Sequence, residues 1–203
     1  GGTIAILKTD GDKHIVPGAK FTLYDKDMIP ISEDVSVNEE GTVVFENLEW
    51  GTYYIKETKA PYGYDADKNP YEVTIKASQL FHRLEIVNNQ IPGAIKLKKV
   101  DSNTKSPLKN AEFNLCKNDG TSIATLTTNE KGEADYENLP WGSYYLEETK
   151  APDGYAIDTT KHRFAVNAYT SGKTQTLEIE NKINENKSFK LLNVLRRMIS
   201  GNL

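Results

Sequence analysis

Apolar and polar residues alternate along most of this chain with a period of two, the signature of strands whose side chains point by turns to opposite faces. In Thr3–Thr9 the residues Ile4, Ile6 and Lys8 share a face; in Gly51–Thr58 Tyr53, Ile55 and Glu57 do. In Phe81–Val87 and the residue that follows it, Leu84, Ile86 and Asn88 line up. Further alternating runs fall at Lys20–Asp25, Thr42–Phe45 and Tyr71–Lys76, separated by clusters of Gly, Pro, Asn and Asp that read as turns. Six or seven short strands in about 90 residues, each with one apolar face, predict an all-β domain built as a β-sandwich.

The series then starts again. Gly51-Thr-Tyr-Tyr-Ile-Lys-Glu-Thr-Lys-Ala-Pro-Tyr-Gly-Tyr64 returns as Gly142-Ser-Tyr-Tyr-Leu-Glu-Glu-Thr-Lys-Ala-Pro-Asp-Gly-Tyr155, 91 residues on. The same offset relates Gly2–Asp10 to Gly93–Asp101. Strands are expected in the second copy at Ala94–Val100, Glu112–Lys117, Glu133–Tyr136, Ser143–Thr149, His162–Asn167 and Thr174–Glu180. A period this long marks a tandem repeat of whole domains, not of solenoid units. The division expected is residues 1–90, residues 91–182, and a tail over 183–203. Asn89-Gln-Ile-Pro-Gly93 joins the copies by a short, proline-bearing link, which predicts a stiff connection. In the tail, Phe189, Leu191, Leu192, Val194, Leu195, Met198 and Ile199 recur at helical spacing with Lys190, Arg196 and Arg197 between them, predicting a short amphipathic helix.

Three positions per copy break the rule that the inward face is apolar. Lys8, Glu57 and Asn88 fall in phase with the core, as do Lys99, Glu148 and Asn181 in the second copy. Burying a charge is costly unless it is paired or neutralised, so the pattern demands a partner or a reaction. The bland answer is a buried Lys–Glu ion pair, with the asparagine satisfying leftover hydrogen bonds.

A sharper answer comes from the surrounding motifs. Lys-x-Asp in the first strand, Ala19-Lys-Phe-Thr-Leu23 with Ala111-Glu-Phe-Asn-Leu115, the Gly-x-Tyr-x-x-x-Glu-Thr-x-Ala-Pro-x-Gly-Tyr run and a last strand closing on Asn together resemble the Cna-B type repeat. That family, also described as SpaA-like or prealbumin-like, builds Gram-positive surface adhesins and pilins, and the resemblance covers about residues 1–182. It implies two tandem inverse-immunoglobulin sandwiches. It also implies a self-formed isopeptide bond in each, Lys8 to Asn88 and Lys99 to Asn181, promoted by Glu57 and Glu148 as the catalytic carboxyls. Physical chemistry allows this. Burial favours neutral amine and neutral carboxyl, the acid can polarise the asparagine carbonyl and protonate departing ammonia, and folding supplies proximity. The event is a single turnover and does not make the chain an enzyme.

The resemblance implies a force-bearing stalk module on the outside of a bacterial cell wall, partnered by neighbouring domains of the same surface protein. The alternative is an adhesive module that itself binds a host extracellular-matrix protein or glycan, with Trp50 and Trp141 beside the turn glycines Gly51 and Gly142 as candidate stacking residues. Their recurrence at equivalent sites instead suggests caps on the sandwich.

Composition narrows the field further. A net charge of −4, with both signs spread along the strands, gives no basic stripe for nucleic acid. No run of 18 apolar residues suits a membrane span. The chain opens at Gly1-Gly2 rather than on a signal peptide and shows no wall-anchoring motif, as expected of a fragment or processed form. Cys116 stands alone, is expected on an outer face, and permits no intramolecular disulfide. His14, His82 and His162 lack metal-ligand spacing, and Asp65-Ala-Asp-Lys-Asn69 departs from a calcium loop at Pro70 and Lys76, so it reads as a solvated turn. No metal or other cofactor is expected.

Overall fold

The protein is described by a computed structural model over residues 1–201, with residues 186–190 described through their backbone only. It divides into two compact units, Gly1–Ile91 and one beginning at Pro92. The first holds β1 (Gly2–Asp10), β2 (Lys20–Tyr24), β3 (Pro30–Ser36), β4 (Thr42–Leu48), β5 (Gly51–Lys59), β6 (Tyr71–Ile75) and β7 (Phe81–Asn88). The second holds β8 (Gly93–Asp101), β9 (Glu112–Lys117), β10 (Ser122–Thr127), β11 (Glu133–Leu139), β12 (Gly142–Lys150), β13 (Lys161–Val166) and β14 (Thr174–Asn181), followed by α1 (Glu185–Ile199). Among the described residues the chain is therefore all-β apart from one helix, and each unit is a sandwich.

In each sandwich a three-stranded sheet, β4-β1-β7 or β11-β8-β14, faces a four-stranded one, β3-β2-β5-β6 or β10-β9-β12-β13. The first and last strands of a domain lie side by side and run parallel, with Lys8 opposite Ile86 and Asp10 opposite Asn88. In the second domain Lys99 lies opposite Ile179 and Asp101 opposite Asn181. Lysine and asparagine thus sit two rungs apart on adjacent strands and, by the period of two, on one face. That face is the core: Ile4, Ile6, Phe21, Leu23, Ile55, Ile75 and Ile86 are buried together in the first domain. Ile95, Leu97, Phe113, Leu115, Leu146, Val166 and Ile179 do the same in the second.

Turns are set by side chains that accept hydrogen bonds from backbone amides a few residues on. Asn38 and Asn129 each accept from the amides two and four residues later, an Asx-type clamp that closes the hairpin leading into β4 or β11. Those hairpins end on Gly41 and Gly132, both at positive φ (77° and 74°). Their carbonyls accept the backbone N–H of Lys8 at 2.8 Å and of Lys99 at 2.7 Å, so each turn anchors the strand that carries the lysine.

Three expectations need correction. The edge strands β3 and β10 carry no regular alternation, because few of their side chains reach the core: Val35 in β3, and Ile123, Ala124 and Leu126 in β10. Cys116 is buried, not on a bare outer face; it pairs across the sheet with Tyr145, whose ring lies under Lys161 and Arg163. The two tryptophans are not equivalent caps. Trp141 packs on the second core, whereas Trp50 is 70% exposed.

The tail forms a helix with Leu191, Leu192, Val194, Leu195, Met198 and Ile199 exposed; the Phe189 and Lys190 side chains lie outside the described residues. No described helix is long and apolar enough to cross a membrane.

Candidate functional site

Each domain brings its lysine, glutamate and asparagine together in the core. Lys8, Lys99, Asn88 and Asn181 are all at most 2% exposed. The two three-stranded sheets contribute lysine and asparagine. The glutamates reach across from the facing sheets, Glu57 on β5 and Glu148 on β12.

In the second domain Glu148 lies between the two nitrogens. Its Oε2 is 3.1 Å from Lys99 Nζ, with both side chains fully buried. The pair is an ion pair, and apart from it Nζ and Oε2 have no hydrogen-bond partner among the described residues. Oε1 accepts a hydrogen bond from Asn181 Nδ2 at 3.0 Å and another from the backbone N–H of Asp158 at 3.0 Å. Asn181 Nδ2 also donates to the carbonyl of Ala156 at 2.9 Å, which fixes which end of the amide faces the carboxylate. The Lys99 ammonium lies 5.4 Å from the Phe113 ring centroid. Burial lowers the Lys99 pKa, opposed by the charges of Glu148, Asp158 and Glu180.

The first domain repeats most of this. Glu57 Oε1 accepts from Asn88 Nδ2 at 3.0 Å and from Asp67 N–H at 2.9 Å, and Asn88 Nδ2 donates to the Asp65 carbonyl. Glu57, however, is only half-buried. Lys8 Nζ donates to the Thr9 carbonyl at 2.9 Å and the Ile86 carbonyl at 3.0 Å. Burial lowers the Lys8 pKa to about 8, against the pull of Glu57, Asp67 and Asp10.

One detail departs from expectation. The carboxylate touches the asparagine nitrogen, not its carbonyl, and Oδ1 of both Asn88 and Asn181 is buried without a hydrogen-bond partner among the described residues. The backbone carbonyls of Asp65 and Ala156 account for this, since a flipped amide would set oxygen against oxygen.

The Asp65–Asn69 turn is more than the solvated turn expected. It and its counterpart after Tyr155 fold over the end of the sheet and supply both the carbonyl and the N–H just described. Surface clefts of about 280 Å³ over Asn88 and about 190 Å³ over Asn181 open beside them. Sequence carried one signal for these turns: Asp67 and Asp158 each stand ten residues after the glutamate.

Elsewhere, Asp10, Asp12 and His14 gather within 4.8 Å, a grouping that histidine spacing alone did not reveal. Both Asp10 oxygens are already taken, by the N–H groups of Asp12 and His14 and by the His14 ring. Those contacts hold the carboxyl below its usual range against the effect of burial.

The chain matches the family model of the SpaA prealbumin-like fold domain twice, over residues 2–90 and 93–183. It is 33% identical over 81 residues to a collagen adhesin of Staphylococcus aureus, covering 37% of this chain and 7% of that protein. It is 35% identical over 77 residues to the trypsin-resistant surface T6 protein of Streptococcus pyogenes serotype M6, covering 38% of this chain and 14% of that protein. Among solved structures, the Bacillus anthracis TIE protein superposes with a TM-score of 0.65 at 29% identity, covering 90% of this chain and 34% of that one. This chain therefore spans only a small part of each of these relatives.

Proposed function

The chain belongs to the SpaA family of prealbumin-like fold domains, and from that premise we propose that each domain joins its first strand to its last by a self-formed isopeptide bond, Lys8 to Asn88 and Lys99 to Asn181. The family is one of structural domains of adhesins and pilins, not of enzymes. The observation that carries the proposal is Glu148, one oxygen against the lysine nitrogen and the other on the asparagine nitrogen.

The reaction balances through that carboxylate. Lys99 passes a proton to Oε2, which exposes the amine lone pair. The amine attacks Asn181 Cγ, a new C–N bond forms, and the old C–N bond breaks. Of the three ammonium protons one stays on the new amide, and two leave with the asparagine nitrogen as ammonium. Glu148 carries protons between nitrogens that its two oxygens already face. Glu57 takes the same role for Lys8 and Asn88. The clefts over the two asparagines give the departing nitrogen a way to solvent.

The mechanical consequence follows from topology. The reactive residues lie near the carboxyl ends of adjacent parallel strands. Tension entering at Gly2 would run along β1 to Lys8, cross the bond, and leave at Asn88. Residues 9–87 would then carry no load, and neither would residues 100–180 in the second domain. The bond would also close a loop of about 80 residues in each domain, worth roughly 4–5 kcal/mol by chain entropy. Such modules suit a force-bearing stalk of a cell-surface adhesin or pilus, placed outside a Gram-positive cell wall and joined to further domains of the same protein.

Intact mass tests the chemistry. The expected protein is lighter than its translated sequence by two ammonia molecules, with Glu57→Ala and Glu148→Ala each restoring one. A mass equal to that of the translated chain would leave a buried ion pair and no bond. A second reading, direct binding of a host matrix protein or glycan, draws on the 70% exposure of Trp50. Specific capture of such a ligand by this chain, lost in Trp50→Ala, would favour it.

A further inference from the structure

We propose that Asp67 with Tyr71, and Asp158 with His162, are positioning residues for the bond-forming reaction, holding each glutamate in line with its asparagine. The proposal rests on the cross-linking just argued.

The wiring is the same in both domains although the residues differ. Asp67 donates its N–H to Glu57 Oε1, while its own carboxylate accepts from the Asn69 N–H at 3.0 Å and from the Tyr71 hydroxyl. Asp158 donates its N–H to Glu148 Oε1, while its carboxylate accepts from the Thr160 N–H at 2.9 Å and pairs with His162 Nε2 at 2.6 Å. Tyr71 stands opposite Ile55 in the β-ladder, and His162 stands opposite Leu146. In each case the aromatic is paired with the residue two before the glutamate. The aspartate is therefore a clip: its side chain ties the turn to the strand beside the glutamate, and its backbone N–H, held by that tie, grips Oε1.

The grip matters because Oε1 is the atom facing the leaving nitrogen. With two N–H donors on Oε1, the carboxyl first takes the lysine proton on Oε2, the oxygen that meets Lys99 at 3.1 Å. The clip thus keeps the two oxygens assigned to different nitrogens. Loss of such orientation by about 1 Å costs up to about 100-fold in rate. Burial and the Asp67 hydrogen bond push the Tyr71 pKa up to about 12, so its hydroxyl remains a donor at any physiological pH.

Charge and position pull in opposite directions here, which makes the role testable. The carboxylates of Asp67 and Asp158 raise the pKa of the nearby lysines, so removing that charge alone would free more neutral amine and speed the reaction. Asp→Asn removes the charge but keeps an oxygen for the turn N–H and a polar atom for Tyr71 or His162; Asp→Ala removes the charge and the clip together.

The experiment follows ammonia loss over time in newly synthesised full-length chain, with proteolytic fragments assigning each loss to a domain. Hydrogen exchange of the core strands shows that each variant is folded. Asp67→Ala and Asp158→Ala are expected to slow bond formation in their own domain by about 10–100-fold while the core strands keep their protection. Asp67→Asn and Asp158→Asn are expected to react at least as fast as the wild type. Wild-type rates in both folded alanine variants, with the wild-type losses intact, would overturn the positioning role alone, as would equal slowing in the asparagine variants. Absence of any ammonia loss from the wild type would overturn the cross-link itself, and the clip with it.

Discussion

Lys8 and Lys99 occupy the same rung of the same strand in two copies of one fold, but their ammonium groups meet different partners. Lys8 donates to the carbonyls of Thr9 and Ile86, and its glutamate is half-buried. Lys99 meets no carbonyl among the described residues and rests against a fully buried carboxylate. A buried ammonium needs either acceptors or a counter-charge, and the domains illustrate the two solutions. The first is the arrangement of a satisfied core lysine. The second would be the closer to the proposed reaction, because the carboxylate alone faces the amine.

The sharpest test of this contrast removes the glutamates one at a time. If each domain is cross-linked as proposed, either variant would forfeit the bond of its own domain, a common loss of roughly 4–5 kcal/mol. Glu57→Ala leaves Lys8 its two carbonyls. Glu148→Ala strands Lys99 in the core without an acceptor or a counter-charge, which adds about 3–5 kcal/mol, the usual consequence of breaking a buried pair from one side. Denaturant unfolding followed by hydrogen exchange in peptides from each domain should therefore show the larger drop in the second domain. Equal drops would mean that the two lysines are held alike.

A smaller effect appears with pH once the bond is prevented but lysine and glutamate are kept, as in Asn88→Ala. Burial lowers the Lys8 pKa from its ordinary value of 10.5 to about 8. Below pH 8 both folded and unfolded chains hold the proton, and the full penalty of the buried charge, about 3 kcal/mol, opposes folding. Between about pH 8 and 10.5 the unfolded chain binds the proton and the folded one does not, so stability rises with pH. Above that window both are neutral and the effect ends. Asn181→Ala should show the same sign for Lys99, whose pKa is also lowered by burial. Stability of the first domain that stays flat or falls between pH 8 and 10.5 would show that Lys8 keeps its proton in the core.

Much of this was legible in the sequence, for a physical reason. A strand with one buried face must alternate, so Lys8, Glu57 and Asn88 betray themselves by falling in phase with Ile6, Ile55 and Ile86. What stayed hidden depends on contacts between segments. β3 and β10 are edges and need no apolar rhythm. Cys116 looked exposed because its neighbour across the sheet is Tyr145 on another strand, whose ring is itself overlaid by Lys161 and Arg163. Asp67 read as a turn residue because its backbone N–H meets Glu57 only after the turn has folded over the sheet. The contrast between Lys8 and Lys99 could not be read at all, since identical residues at matching positions give rise to it.

The mildest probe of the contrast is a single methyl group placed behind each lysine strand. Gly41 and Gly132 both sit at positive φ, where a side chain costs roughly 1–2 kcal/mol. Beyond that shared cost their surroundings differ. A Cβ on Gly41 would meet Ile15 Cγ2 at 2.6 Å and the Lys8 carbonyl oxygen at 3.3 Å, and Ile15 is 52% exposed and free to turn aside. A Cβ on Gly132 would meet the Lys99 carbonyl oxygen at 2.4 Å and the Leu108 backbone nitrogen at 3.1 Å. Backbone cannot turn aside, so β8 must shift and carry Lys99 with it. Gly132→Ala should therefore destabilise its domain by about 1 kcal/mol more than Gly41→Ala does, and slow ammonia loss from the second domain only. Equal costs in the two variants, with unchanged kinetics in both, would show that the lysine-bearing strand slides without disturbing the site, and that the close contact of Lys99 with Glu148 does not depend on a fixed backbone.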